Sequence, residues 1–391
     1  MKRILLSVIV LLLVFCCASC NSSSTCIECG QKYEAKDNYC SNCGAEIVKG
    51  SESTYTKGLS YMELPDGNYA VSAGDALYLE EVIVPSTYKG KLVTEIAQNG
   101  FCDAPNLKKV TLPDTITSIN YYGFCRCKQL TSINFPDGLK YIGRNAFQGC
   151  KLKDVVLPSS VEKIESHAFL WSYEIESVTI PGAGNTTIGD NAFAGCPSLI
   201  SVVLGDGVEK IEREAFSGYH MTTLVIGKNV KEIDTSAFKR VAEIWNLSSL
   251  QINIGQYGSI AVYNDINTPS KTWKTEDNYL FYEDGSTCYL LGNIDSCFAW
   301  FAEGEKPLVN LVLPADCNGK PYAIRSGAFS TCVIDTIVID SNVTTIDKYA
   351  FNDSNIKGDV YFTGNEEQWK ALTPNGTYDL KTPIFNYTYS E

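Results

Sequence analysis

Residues Cys127–Phe147 read CKQLTSINFPDGLKYIGRNAF, and this stretch decides the fold. Its apolar positions are Cys127, Leu130, Ile133, Phe135, Leu139, Ile142, Ala146 and Phe147. Neither a helical nor a strand period fits them throughout. From Leu130 to Phe135 the pattern is strand-like, with Ile133 and Phe135 on one face and Ser132 and Asn134 on the other. Pro136-Asp137-Gly138 ends that strand, because proline cannot donate to a ladder and glycine permits a turn. Leu139 and Ile142 point inward again, and Ala146-Phe147 closes the unit. A unit this small cannot bury its own apolar side, so it needs copies above and below.

The copies are present. Closing phenylalanines fall at 101, 124, 147, 169, 193, 216 and 238, in steps of 23, 23, 22, 24, 23 and 22 residues. Phe329 and Phe351 resume the series with a step of 22. The strand portions align with them: VTLP at Val110–Pro113, VVLP at Val155–Pro158, VTIP at Val178–Pro181, VVLG at Val202–Gly205, LVIG at Leu224–Gly227 and LVLP at Leu311–Pro314. The fold predicted is a β-rich repeat solenoid with one short strand per 22–24-residue coil.

Composition agrees with an ordered chain of 391 residues, 45% hydrophobic and 20% charged. Formal charge is −13, an acidic balance that argues against a nucleic-acid partner and against a basic patch on anionic membrane. Only two histidines occur, His167 and His220, both beside closing positions, which favours structural roles for them. No nucleophile motif, no paired carboxylates in a defined setting and no phosphate-binding glycine loop stand out, so a non-enzymatic protein is expected.

The chain opens MKRILLSVIVLLLVFCCASC. A basic start, an apolar run from Ile4 to Phe15 and small residues before Cys20 read as an export signal, too short for a comfortable membrane span. Residues 1–20 resemble a bacterial lipoprotein signal, with Ala18 and Ser19 at its small positions and Cys17 where leucine is usual. The resemblance implies lipid attachment at Cys20, an envelope location and contact with membrane through that anchor alone. A plain secretory signal is the alternative.

Cys26, Cys29, Cys40 and Cys43 form two C-x-x-C pairs, each followed by glycine (Gly30, Gly44). Residues 26–44 resemble a zinc ribbon, in which four thiolates close a tetrahedral structural Zn²⁺ site and leave no open catalytic position. So short a segment holds no adequate core and needs metal or disulfides; outside the cytoplasm, two disulfides are the competing reading.

Residues 45–57 read as a linker and 58–78 as an N-terminal cap hairpin around Pro65-Asp66-Gly67. Repeats follow over 79–247. VIVPSTYKGKLVTEI, INFPDGLKYIGRNAF, VVLPSSVEKIESHAF and VVLGDGVEKIEREAF resemble the BspA-type leucine-rich repeats of bacterial surface proteins. That resemblance implies a surface-exposed adhesion or contact protein with an extracellular protein or glycan as partner. A structural or envelope-assembly protein, or a polymer-binding part of a nutrient-uptake system, is the alternative.

Residues 248–305 interrupt the register with an aromatic, β-rich stretch. It reads either as a ligand-binding protrusion or as a small second core over the interrupted solenoid end. Repeats resume over 306–351, and 352–391 read as strand, short helix and final strand capping the last coil. Outward strand positions are expected to line a concave sheet, a mild and nearly uncharged column: Thr111, Asn134, Val156, Thr179, Val203 and Val225, continued by Val312 and Val338. Cys127, Cys150, Cys196 and Cys332 each follow a closing Phe by three residues and are expected to act as small buried hydrophobes. A Cys127–Cys150 disulfide is the minor alternative, and Cys288 and Cys297, which flank the second half of a hairpin-like segment, are candidates for another.

Overall fold

The computed structural model describes residues 24–25, 32–33, 55–218, 221–285, 287–294, 309–330, 332–372 and 380–388. Cys20 and the four ribbon cysteines lie outside them. The described chain is a leucine-rich-repeat solenoid whose coils pair in parallel.

The strand read from each repeat is present, and the coil contributes a second one after the proline turn. In the repeat quoted above these are Ser132–Ile133 and Tyr141–Ile142. The first strands form two runs: Glu81–Ile83, Lys109–Thr111 and Ser132–Ile133 make one sheet. Asp154–Val156, Ser177–Ile180, Ser201–Leu204, Thr223–Ile226, Glu243–Asn246 and Ala261–Tyr263 make the other. The second strands run without a break from Lys91–Ile96 to Glu232–Ile233, with Ile96, Ile119, Ile142, Ile164, Ile188, Ile211 and Ile233 in one inward register.

The closing phenylalanine fills the space between these sheets. Phe101 through Phe238 are buried and stack face to face, with centroids 4.7 to 5.3 Å apart and interplanar angles of 3° to 15°. Each ring is held by its own backbone: Phe147 N–H donates to Ala168 O and Phe193 N–H to Ala215 O, both at 2.7 Å. From Phe101 to Phe216 the turn that carries it has a left-handed residue two positions before the ring and often another two after. In the Phe147 turn these are Asn145 (φ 57°) and Gly149 (φ 70°). Tyr257 ends the stack edge-on, 5.5 Å from Phe238.

The cysteines three residues past the ring, Cys127, Cys150, Cys196 and Cys332, are buried, and the first three are free thiols. They are more than space-fillers. Cys127 Sγ donates to Phe101 O at 3.0 Å, Cys150 Sγ to Phe124 O at 3.2 Å and Cys196 Sγ to Phe169 O at 3.4 Å. Ser172, at the same position, donates to Phe147 O at 2.9 Å. The position therefore selects a small side chain with one donor for the carbonyl of the coil below.

Each end of a stack needs cover. At the amino end Ser60–Glu63 pairs antiparallel with Tyr69–Ser72, which runs parallel to Lys91–Ile96. The aromatic stretch does the same thing again. Tyr279–Asp284 pairs antiparallel with Thr287–Asn293, which runs parallel to Tyr322–Ile324. The coil that follows also repeats the opening one, LVLPADCNGKPYAI at Leu311–Ile324 against VIVPSTYKGKLVTEI at Val82–Ile96. Both place a two-residue hairpin turn at the same point, Lys89-Gly90 (φ 48°, 74°) and Asn318-Gly319 (φ 53°, 76°); positive φ at both positions is what such a turn requires. The stretch read as an interruption thus has two parts. Ala261–Tyr263 completes the first stack, and Thr272–Asn293 begins a second one with its own core.

The disulfide of this region joins Cys288 to Cys317, Cα atoms 6.5 Å apart, not to Cys297, which lies outside the described residues. The strand register decides the pairing, because it brings the hairpin against the opening coil of the second stack. At the carboxyl end Val360–Phe362 pairs with Val333–Ile339 and leads into the helix Glu366–Leu372. Asn365 caps that helix reciprocally with Gln368, at 2.9 Å in both directions.

Candidate interaction face

The outward side of the first-strand sheet carries two columns. One is polar: Asp154, Ser177, Ser201, Thr223 and Glu243 stand in register. The other is Val156, Thr179, Val203, Val225, Trp245 and Tyr263. Four of the six residues expected on this face therefore line up as one strip. Thr111 and Asn134 belong to the separate three-stranded run. Thr111 is exposed, while the Asn134 amide is already engaged: its Oδ1 accepts from Leu112 N–H at 2.7 Å and its Nδ2 donates to Leu112 O at 2.8 Å.

The strip is open at one end and covered at the other. Val156 is 62% exposed, Thr179, Val203 and Val225 are half-buried, and Trp245 is only 4% exposed. Trp245 Nε1 donates to Thr268 O at 3.0 Å, and its ring meets that of Tyr263 at 5.1 Å. Beside it the fully buried Glu243 carboxylate accepts from Tyr263 Oη at 2.9 Å, from Ser270 Oγ at 2.5 Å and from Lys271 N–H at 3.0 Å. Burial and then the Glu243 carboxylate push the Tyr263 hydroxyl above its ordinary pKa. Residues 263–271 are fastened over the end of the strip by these bonds. Trp245 and Tyr263 escaped the sequence reading because their strands follow at shorter spacings than 22–24 residues; AEIWNL (Ala242–Leu247) was the available signal.

In the second stack Val312 is exposed but Val338, expected outward, is 6% exposed. The opposite sheet face is chemically different. Its outward column, Glu95, Ser118, Tyr141, Lys163, Thr187, Lys210 and Glu232, mixes charged with uncharged residues and carries ion pairs such as Lys163–Glu165 at 2.6 Å, Lys210–Glu232 at 3.4 Å and Lys231–Glu209 at 2.9 Å. Such exposed pairs contribute little to stability and keep that face solvated. Among the described residues the strip differs from that face in having no charged member from Val156 to Tyr263.

Among the described residues one group could present three metal-ligating atoms together, Glu283, Cys288 and Cys317. The two sulfurs are bonded to each other, and Lys320 Nζ and Asn318 Nδ2 both donate to the Glu283 carboxylate. This group is a cross-link with a polar collar. His167 sits in a left-handed turn position (φ 62°), its pKa lowered by burial and by Arg144; His220 lies outside the described residues.

A stacked parallel solenoid with this ring-closed turn defines a leucine-rich-repeat protein. Residues 94–218, 167–284 and 258–357 match the BspA type leucine rich repeat region, in six copies, and the chain belongs to that family. It is similar to a leucine rich cell surface protein from Faecalibacterium prausnitzii, at 21% identity over 84% of this chain and 100% of that one, with TM-score 0.43. The T. pallidum leucine-rich repeat protein is 29% identical over 41% of this chain and 86% of its own, with TM-score 0.34. The pneumococcal vaccine antigen PcpA is 15% identical over 85% and 97%, with TM-score 0.33. No curated protein matches.

Proposed function

We propose that this is a non-catalytic surface protein of a bacterial envelope that binds an extracellular protein or glycan through the open part of the outward strip. The observation that carries the reading is the register of Val156, Thr179, Val203 and Val225, an uncharged, partly exposed row, whereas the opposite face carries ion pairs. Exposed apolar rows rimmed by polar groups are typical of contact surfaces. The polar column beside it supplies hydroxyls for hydrogen bonding. Family membership and the cell-surface description of the Faecalibacterium relative support the location.

The remaining parts follow the sequence reading. Cys20 carries the lipid, and Cys26, Cys29, Cys40 and Cys43 hold a structural zinc near the anchor. Cys20→Ala is expected to release the protein from membranes, and unchanged retention rejects the anchor. Metal analysis after reducing purification is expected to find zinc, and its absence rejects the ribbon.

The contact itself is tested with the mature ectodomain on arrays of glycans and extracellular-matrix proteins. Val203→Lys is expected to abolish whatever binding the parent shows. Equal binding by the variant rejects the strip as the contact, and an ectodomain that binds nothing favours a structural role in the envelope.

A further inference from the structure

The Phe169 turn departs from its neighbours. Its two left-handed positions hold His167 (φ 62°) and Trp171 (φ 57°). In the adjacent turns the same positions hold Asn145 with Gly149 (φ 70°) and Asn191 with Gly195 (φ 66°). Asparagine and glycine enter this conformation readily, whereas a bulky aromatic residue does so only under strain. The Phe124 turn also holds bulky residues there, Tyr122 and Arg126 (φ 58° and 55°), so what sets the Phe169 turn apart is a tryptophan at the second position rather than the conformation itself.

What Trp171 presents is an open ring. It is 44% exposed, and its N–H donates to Ala194 O at 3.0 Å, which holds the turn in register. The indole lies against Gly195, where an added Cβ would come within 2.5 Å of Trp171 Cδ1. On the coil below, Gly149 leaves the position bare; a Cβ there would find nothing closer than Arg126 Cα at 4.0 Å. The ring thus rests on backbone with no side chain at its own position on either flank. Lys151 and Glu174, from the same two coils, neutralise each other at 3.7 Å. In the same turn the buried His167 Nδ1 has no hydrogen-bond partner, a second departure concentrated at this turn.

We propose that Trp171 is a stacking platform for a pyranose ring of a neutral polysaccharide, a site separate from the outward strip. The faintly positive C–H face of a sugar fits the negative face of an exposed indole. The bare glycine positions on either side leave room for the chain to run past the ring. The nearby ion pair offers donors and acceptors to hydroxyls without selecting a net charge.

The full chain is tested by native electrophoresis in gels containing dextran, mannan, galactan or xylan, with tryptophan fluorescence titration against oligosaccharides of any that retards it. Trp171→Gly supplies the residue that Gly149 and Gly195 already use here, so the turn still forms, which near-ultraviolet circular dichroism checks. Retardation is expected in at least one gel, weakened more than tenfold by Trp171→Gly and only a few-fold by Trp171→Phe. A parent retarded by none of the four, or a Trp171→Gly variant retarded as strongly as the parent, overturns the proposal.

Discussion

Arg240 and Arg325 reach across the junction of the two stacks in opposite directions. Arg240 Nη1 donates to Gly327 O at 3.2 Å, and Arg325 Nη2 donates to Gly258 O. Each guanidinium thereby ties its own stack to a backbone carbonyl of the other. Burial draws the Arg325 pKa down to about 10, the mark of a cation held in a poorly solvated place. Repeat stacks are coupled through nearest-neighbour interfaces, so this junction decides whether the halves unfold together. The Arg240→Ala, Arg325→Ala double variant is expected to split one calorimetric transition into two. A single transition at the parental temperature would show that the clasp is dispensable.

The second stack depends on the hairpin that starts it. Deleting residues 272–293 removes the strand that pairs with Tyr322–Ile324 and also removes Cys288. Residues 309–372 are then expected to lose protection from proteolysis while 82–244 keep theirs. Survival of both would mean that the aromatic stretch is an accessory.

Peptide mapping under non-reducing conditions is expected to recover Cys288 joined to Cys317. Cys317→Ser should cost about 3–4 kcal/mol, the range for a cross-link closing a loop of this length. Recovery of a Cys288–Cys297 peptide instead would reject the register of the hairpin against the opening coil.

The thiol ladder makes a prediction with a sign. Burial raises Cys127 and Cys196 to about 12 and Cys150 well above its ordinary value near 9. The unfolded chain releases these protons near pH 9 and the folded chain keeps them, so stability falls as pH rises from about 9 toward 12. Cys150→Ser retains the donor to Phe124 O, as Ser172 does one coil on, and should cost no more than about 1 kcal/mol. Cys150→Val removes one of the two donors to that carbonyl, which keeps the Cys127 N–H at 3.2 Å, and should cost about 0.5–1.5 kcal/mol more than serine. Denaturant midpoints at pH 8 and pH 10.5 check both statements; equal costs for serine and valine would show that the bond is idle.

Phe193 lies 4.7 Å from Phe169 and 5.0 Å from Phe216 in the ring stack and is fully buried. Phe193→Ala should cost about 3–5 kcal/mol, since the rigid coils on either side cannot close the gap. A cost below about 1 kcal/mol, read by chemical denaturation, would mean that the stack relaxes around the void.

The ring stack was readable because a residue recurring every 22 to 24 positions survives any local ambiguity. Tyr141–Ile142 was not, since two residues are too few to show alternation. The pairing of Cys288 was missed for another reason: sequence distance favours Cys297, whereas sheet register carries Cys317 to it. At the candidate face, Val156 to Val225 followed from strand position alone. The covering of Trp245 depends on residues 263–271 folding back, which no local pattern announces. Asn134 is exposed as expected, but that its amide is engaged was not readable, because its bonds to the Leu112 backbone span 22 positions.

One side of the first stack is stitched continuously from Lys91–Ile96 to Glu232–Ile233, while on the other the ladder stops between Ser132–Ile133 and Asp154–Val156. A rod laced on one flank and unlaced on the other bends most readily about the laced one. At that gap the coils keep a single backbone bond beside the missing ladder, Lys151 N–H to Leu130 O at 3.0 Å, so the row that starts at Val156 is set apart from Thr111 and Asn134 by a break in pairing and not by any change in the repeat.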